Sequence, residues 1–428
     1  MINEKAVKSP MNTFDHRQPE AAIPANAAAH GLSQVEFVCL MAVMMALTAL
    51  SIDMMLPALP AIGEAMGVAD PNNRQIVIIS YLMGFAVGQL AYGRLSDSYG
   101  RRPVLMIGLA IFVVGSLAAS LSPTFGLLIG ARMVQGLGAA APRVIAIAVV
   151  RDLYSGRHMA RIMSFTMMTF ITVPALAPTI GQGIIEVGTW RWIFDALLIA
   201  GLGVALWAGL RLPETHVENA DGTEELSLGA SIRSVFETPQ TIGYAVGVGF
   251  LFGCLMSYVS SAQQVFVDVF HLGAGFPLAF GAIAAMMAVA ALVNAGLVER
   301  HGMRRVSHTA LTAFIVTALI LLATVVTQHQ SLTAFIVLVG ILFFLIGLIL
   351  PNFNALAMEP QGDNAGMASS LIGFLTTAAG ATCGGIIGHQ FNGTVLPLTL
   401  GLLILSIASF AAVVWVEGVG GLYRPTHR

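Results

Sequence analysis

The sequence is short of charge. Asp, Glu, Lys and Arg make up 10% of its 428 residues, against 57% hydrophobic residues and a mean hydropathy of +0.83. Soluble domains carry about 25% charged residues, so a water-soluble globular protein is excluded. Cysteine is scarce as well. Cys39, Cys254 and Cys383 fall far apart in apolar runs, without the paired spacing of a metal or redox site, and read as small buried hydrophobes. There is no His-Glu-x-x-His pair, nucleophile elbow or phosphate-binding glycine loop, which leaves a membrane enzyme or an ATP-driven pump without a sequence basis. The first apolar run is too long for a signal peptide's core of about 7–15 residues and stays as an anchor. Residues 1–33, polar and without hydrophobic periodicity, read as a cytoplasmic tail.

What is present is a succession of apolar runs, each near the roughly 20 residues that cross a bilayer. They fall at 35–62, 74–94, 103–121, 124–150, 160–186, 191–210, 240–267, 276–298, 306–327, 332–350, 366–389 and 395–416. The longest polar break, with Glu214, Glu218, Asp221, Glu224 and Glu225, separates spans 6 and 7. The expected fold is therefore an all-α integral membrane protein, twelve transmembrane helices in two six-helix bundles. Its segments are a tail at 1–33, a bundle at 34–211, a cytoplasmic linker at 212–238, a bundle at 239–416 and a tail at 417–428.

The two halves echo each other. Gly93-Arg94-Leu95-Ser96-Asp97-Ser98-Tyr99-Gly100-Arg101-Arg102-Pro103-Val104 joins spans 2 and 3, and 295–306 joins spans 8 and 9. Aligning Gly100 with Gly302 pairs Leu95 with Leu297, Asp97 with Glu299, Arg102 with Arg304 and Val104 with Val306. These are corresponding loops of two parallel repeats, as in transporters whose halves rock about a central site. Positive residues mark the cytoplasmic side. Sixteen of the twenty fall in the tails and loops on one side, Arg74 and Arg191 lie on the other, and Arg132 and Arg143 lie inside span 4. Both termini are expected in the cytoplasm.

Span 1 contains one carboxylate, Asp53, in Ala49-Leu50-Ser51-Ile52-Asp53-Met54-Met55-Leu56-Pro57. A charge at mid-bilayer costs at least about 2.5–3.5 kcal/mol, so such groups face a cavity or a partner and mark an ion or substrate path. The bland alternative is a carboxylate kept neutral between helices for packing. Asp53 lies about nine residues before span 1 ends and Arg132 about nine after span 4 begins, which puts them at one depth. Two readings of Arg132 are open: a direct or water-bridged pair with Asp53, or bonds to backbone carbonyls or Gln135. Arg143 follows Pro142, which bends the helix, and points toward a cytoplasm-facing vestibule without a defined role.

The loop Gly93-x-Leu95-Ser96-Asp97-x-x-Gly100-Arg101-Arg102 resembles the signature of the major facilitator superfamily, and the whole chain after the tail resembles its twelve-span drug/proton antiporters of the Bcr/CflA, or bicyclomycin-resistance, type. Gly100 supplies a permissive backbone at the turn and the arginine pair holds the loop at the cytoplasmic surface. The resemblance implies that Asp97 meets the N-terminus of span 11 near 362–366 and closes a cytoplasmic gate; the bland reading makes the arginines topology anchors alone. Ser98 stands where the family often has a basic residue. Arg132-Met133-Val134-Gln135-Gly136-Leu137-Gly138-Ala139 is similar to the superfamily's span 4 motif. Pro174, Pro178 and Gly181 in span 5 resemble the antiporter signature G-P-x-x-G-G, with Ala177 and Gln182 replacing two glycines, and imply efflux; the alternative is an ordinary Pro-kinked helix.

Span 7, with Tyr258, Ser261 and Gln264, stands where relatives line the central cavity. Together with Met54 and with Asn352 after Pro351 it implies a wide, apolar, adaptable pocket. Interhelical hydrogen bonding is the alternative for each polar group. The implied function is proton-coupled efflux of small hydrophobic or amphipathic drugs, with Asp53 and Arg132 in proton coupling. The chain is expected in the bacterial inner membrane as a monomer with no cofactor and no nucleic-acid partner, its partners being the lipid bilayer, protons and the drug. A carrier for one metabolite, exporter or symporter, is the alternative. A lone buried carboxylate makes no selectivity ring, which disfavours a channel.

Overall fold

A computed structural model describes residues 32–154, 156–215, 228–329, 331–362 and 365–418. The tail at 1–31, most of the acidic linker and residues 419–428 lie outside the described residues. Among the described residues there are no strands, and eleven helices are long and apolar enough to cross a membrane. A further 32-residue helix, Gly156–Val187, occupies the place of span 5.

The membrane-length helices are α1 (Gln34–Asp53), α2 (Ile76–Tyr99), α3 (Arg101–Ser120), α4 (Phe125–Leu153), α5 (Gly156–Val187) and α6 (Arg191–Arg211). The second set is α7 (Pro239–Gln264), α8 (Phe276–His301), α9 (Met303–Val326), α10 (Leu332–Met358), α11 (Ala365–His389) and α12 (Leu396–Glu417). Their starts follow helix chemistry. Ser33, Thr124 and Ser331 cap α1, α4 and α10 by accepting backbone N–H bonds from Glu36, Leu127 and Ala334, and Pro239 opens α7 where a missing N–H costs nothing.

Packing repeats between the halves. The pairings α1 with α5, α2 with α4, α3 with α4 and α3 with α6 recur as α7 with α11, α8 with α10, α9 with α10 and α9 with α12. The halves meet where α2 packs on α11 and α5 on α8, a pair of contacts that a two-fold relation exchanges. The aligned loops match in backbone as well: Gly100 has φ 92° and ψ 156°, Gly302 φ 79° and ψ 155°. Both lie in a region open essentially to glycine alone. The paired arginines do equivalent work. Arg102 donates to the Gly209 carbonyl at the end of α6, and Arg304 forms an ion pair with Glu417 at the end of α12 (2.9 Å).

Three expectations are corrected. Arg101 is not a surface anchor: it is buried, bonding Asp152 at the end of α4 (2.8 Å), Ser96 (2.8 Å) and Asp97. Cys39 is exposed on α1, because its position falls on the outward face of that helix. The break between the halves is more than a polar linker. Glu214 accepts from the backbone N–H groups of Arg101 (2.8 Å) and Arg102 (3.1 Å), capping α3, and an additional helix, Leu228–Glu237, packs on α7 and α11.

Replacing Gly100 with Ala forces a side chain into a glycine-only conformation, at a cost of about 1–3 kcal/mol. The expected outcome is a lower melting temperature of the detergent-purified protein, with the same sign for Gly302→Ala.

Candidate functional site

The site is organised by a break in the first membrane-crossing segment. α1 ends at Asp53, and the chain continues through a tight turn, Leu56–Ala58, into a short helix, Leu59–Ala65. Two prolines account for it. Pro57 has no N–H for the carbonyl of Asp53 four residues earlier, and Pro60 has none for that of Leu56. A helix that stops inside an apolar protein leaves unsatisfied carbonyls.

Arg132 fills that role. It is fully buried on α4, and its guanidinium donates from Nη2 to the Ser51 carbonyl (3.0 Å), from Nε to the Val77 carbonyl on α2 (3.1 Å) and from Nη1 to Gln135 Oε1 (2.5 Å). Gln135 in turn donates to Ser116 Oγ on α3 (2.8 Å). The guanidinium carbon also lies 4.4 Å from the centre of the Tyr81 ring, a cation–π contact strengthened by desolvation. One cation thus ties α1, α2, α3 and α4 at a single level. Its charge sits at the carbonyl end of α1, where the helix dipole favours a cation.

Of the two readings of Arg132, the geometry takes the second. Arg132 and Asp53 share a depth, but Arg132 is held by carbonyls and Gln135, and there is no ion pair to Asp53 among the described residues. The reason is the break itself, which frees a backbone acceptor near Asp53 at the same level. Asp53, with 5% of its surface exposed, makes no side-chain hydrogen bond or ion pair among the described residues.

The other side of the break is pressed by α5. A Cβ on Gly181 would stand 2.1 Å from the Met54 carbonyl oxygen, so only glycine lets α5 come this close. Pro174 and Pro178 lie within α5, which stays helical through both. Across the seam, the Leu56–Ala58 turn packs on α7. Tyr258 of α7 is fully buried among Phe280, Phe343 and Phe266; its hydroxyl has no hydrogen-bond partner and lies within electrostatic reach of Asp53. Ser261, three residues on, is buried on the same helix.

The structure therefore gathers Asp53, Met54, Gly181 and Arg132 about the break, with Tyr258 of the other half facing it. Two expected cavity residues are otherwise engaged. Asn352 donates to Asn294 Oδ1 on α8 (2.8 Å) and to the Leu348 carbonyl (2.7 Å). Gln264 bonds Gln75 and Asn72 of the first half (2.7 and 2.9 Å). Both are amides that find partners on neighbouring helices, so neither is a free cavity wall. At the arginine-rich end, Gly93 lies close to Ser370 and Asp97 beside Gly366 of α11. Asp97 is held by Arg101, and residues 363 and 364, part of its expected contact, lie outside the described residues. Arg143 packs over the Phe85 ring at 5.5 Å.

Sequence reasoning passed over Asn72, Gln75, Gln89 and Asp152. Gln89 donates to Thr377 Oγ1 on α11 (2.8 Å). The depth count that set Asp53 level with Arg132 would have found Gln75, since it opens span 2 at the membrane end where Gln264 closes span 7.

An all-helical chain of membrane-length segments, built from two repeated halves with a buried carboxylate at their seam, has the architecture of a secondary transporter. The family description of the Major Facilitator Superfamily matches residues 41–384, and the chain belongs to that superfamily. It is a multi-pass membrane transporter and not an enzyme. It is 31% identical over 378 residues to the uncharacterized MFS-type transporter YdgK of Bacillus subtilis, covering 86% of this chain and 92% of that one. It is 28% identical over 386 residues to the bicyclomycin resistance protein homolog of Haemophilus influenzae, covering 87% and 95%. The fold matches a partially occluded inward-open conformation of the xylose transporter XylE from E. coli with a TM-score of 0.67 at 12% identity, over 91% of this chain and 99% of that one.

Arg132→Ala leaves the buried Ser51 carbonyl and Gln135 Oε1 without the donor they share, at about 1–3 kcal/mol each, whereas the Val77 carbonyl keeps Ser80 Oγ as a donor. The protein is expected to lose several kcal/mol of stability, read as a fall in its melting temperature. Arg132→Lys is expected to restore little, because one ammonium cannot match the planar guanidinium's three directions.

Proposed function

We propose that the protein exports small hydrophobic or amphipathic compounds across the bacterial inner membrane in exchange for protons, by alternating access of a site at Asp53. The observation that carries this reading is the unpartnered carboxylate at the seam of the halves, in the break of α1. With Arg132 held by carbonyls and Gln135, no cation among the described residues pairs with Asp53, and an isolated carboxylate is tolerated in an apolar interior only with its proton on. When the halves open to water, the charged form becomes affordable. Loading and release of a proton then follow the movement of the halves, and substrate binding competes with protonation.

The driving force suffices. One proton entering down about 100 mV supplies roughly 2.3 kcal/mol, and each pH unit adds about 1.36 kcal/mol; together they sustain a gradient of a neutral substrate of several hundredfold. The likeness to a bicyclomycin resistance protein homolog supports a drug-like substrate. The surroundings of Asp53, with Met54, Tyr258 and its phenylalanine neighbours, favour apolar compounds of varied shape. Arginine placement supports a cytoplasmic position for the 2–3 and 8–9 loops and both termini. One chain supplies both halves, so the working unit is a monomer.

Asp53→Asn mimics the permanently protonated carboxylate and should abolish pH-gradient-driven transport in inverted vesicles while leaving the melting temperature within about 1 kcal/mol equivalent of the parent. Undiminished proton-driven transport in that variant would overturn the assignment. Orientation is checked separately by fusing a reporter active only in the cytoplasm to the C-terminus, where it should be active.

A further inference from the structure

At the end of the molecule opposite the 2–3 and 8–9 loops, three helix-end segments, Pro71–Gln75 and the C-terminal ends of α7 and α11, are joined by a single chain of side-chain hydrogen bonds. Gln75 Nε2 donates both to the Gly388 carbonyl (3.0 Å) and to Gln264 Oε1 (2.7 Å). Gln264 Nε2 donates to Asn72 Oδ1 (2.9 Å). Asn72 Nδ2 donates to the carbonyls of His389 (3.0 Å) and Phe391 (2.9 Å). Asn72 and Gln75 belong to the first half, and Gln264, Gly388, His389 and Phe391 to the second. Each of these five bonds therefore runs from one half to the other.

The direction of the chain is fixed by its ends. It begins and finishes on carbonyls at the C-terminal end of α11, which can only accept. Gln75 must therefore present its NH2 to Gly388, Gln264 must accept from Gln75 with its oxygen, and its NH2 is left for Asn72. Flipping any one amide sets oxygen against oxygen, so the three side chains form one unit. Gln75 and Gln264 are 2% and 4% exposed, and bonds shielded from water are not replaced for free when broken. The closed arrangement is also incomplete: Gln75 Oε1 is buried and accepts nothing. A fully satisfied cluster would lock the seam, whereas this one leaves an acceptor that gains a partner only when water enters. Immediately after Gln264 the chain makes a π-helical turn, Val265–Val269, a local widening frequent at functional positions.

We propose that Asn72, Gln75 and Gln264 form the outer latch of the transporter, a directional amide chain that closes the periplasmic end and must break as a unit each time the site opens outward. The inference rests on the alternating-access part of the functional reading and is independent of proton coupling and of substrate identity. The three are positioning residues: they set the balance between closed and outward-open states and touch no substrate.

The test uses the full chain in nanodiscs with Cys39, Cys254 and Cys383 replaced by Ala, and spin labels on cysteines at Glu64→Cys and Asn392→Cys, exposed positions at the same end in opposite halves. Electron–electron double resonance reads the distance between them. Gln264→Ala and Gln75→Ala should each raise the longer-distance population relative to the shorter by about tenfold, the scale of losing shielded hydrogen bonds. The double variant should fall short of the product of the two single effects, because both single variants remove the same Gln75–Gln264 bond. A monodisperse variant with unchanged distances, or single effects that multiply in the double variant, would overturn the latch. Asn72→Ala, which leaves the Gln75–Gln264 and Gln75–Gly388 bonds in place but removes those to the His389 and Phe391 carbonyls, supplies a second reading if either glutamine variant fails to fold, and it should shift the distances in the same direction. Failure here leaves the Asp53→Asn transport result untouched, so the two readings fall separately.

Discussion

The structure depends on a helix that stops halfway through an apolar interior. Pro57 and Pro60 deny α1 the donors it needs to continue, and a carbonyl end in low dielectric would be costly if left bare. Arg132 covers it, and the cost of burying a guanidinium is offset in the same stroke by two carbonyls, a glutamine amide and the face of Tyr81. Gly181 holds the other side by letting α5 touch the Met54 backbone. Because cation and freed carbonyl satisfy each other, the carboxylate two residues on is left without a charged partner among the described residues, where the break of α1 meets the other half.

How much of this could be read beforehand divides along physical lines. The twelve apolar runs, the repeat aligned on Gly100 and Gly302, and the common depth of Asp53 and Arg132 all follow from quantities that sequence carries directly: hydropathy, spacing and rise per residue. The acceptor of Arg132 does not, because depth cannot distinguish a side-chain oxygen from a backbone one at the same level. A clue was nonetheless present in Pro57 and Pro60, which end α1 in the apolar interior a few residues past the Ser51 carbonyl that Arg132 reaches. Arg101 was harder. Its partner Asp152 lies 51 residues away at the far end of α4, and nothing local separates an arginine that stays at the surface from one that turns inward. Gln264 was legible as a polar residue in an apolar span, but its partners Asn72 and Gln75 sit on a segment of the other half, so cavity wall and interhelical bond look alike in one dimension.

The kinds of bond inside each half differ from those between them. Arg101 with Asp97 and Asp152, Arg211 with Glu36, and Arg304 with Glu359 and Glu417 are ion pairs that each stay within one half. They lie toward the arginine-rich end and tie helix ends that neighbour one another in the packing, so each half holds together as a body. Asn72, Gln75, Gln89 and Gln264 bond across the seam with neutral amides. Hydrogen bonds to charged groups are worth roughly 1.5–3 kcal/mol and neutral ones about 0.5–1.5 kcal/mol, so a force that separates the halves breaks the seam before it deforms either body. A neutral amide exchanges its partner for water at a smaller cost than an ion pair, whose breaking leaves two charges to be solvated. A seam of amides between two bodies stiffened by charge is thus the arrangement in which rocking requires the least energy and leaves the internal geometry around Arg132 unchanged.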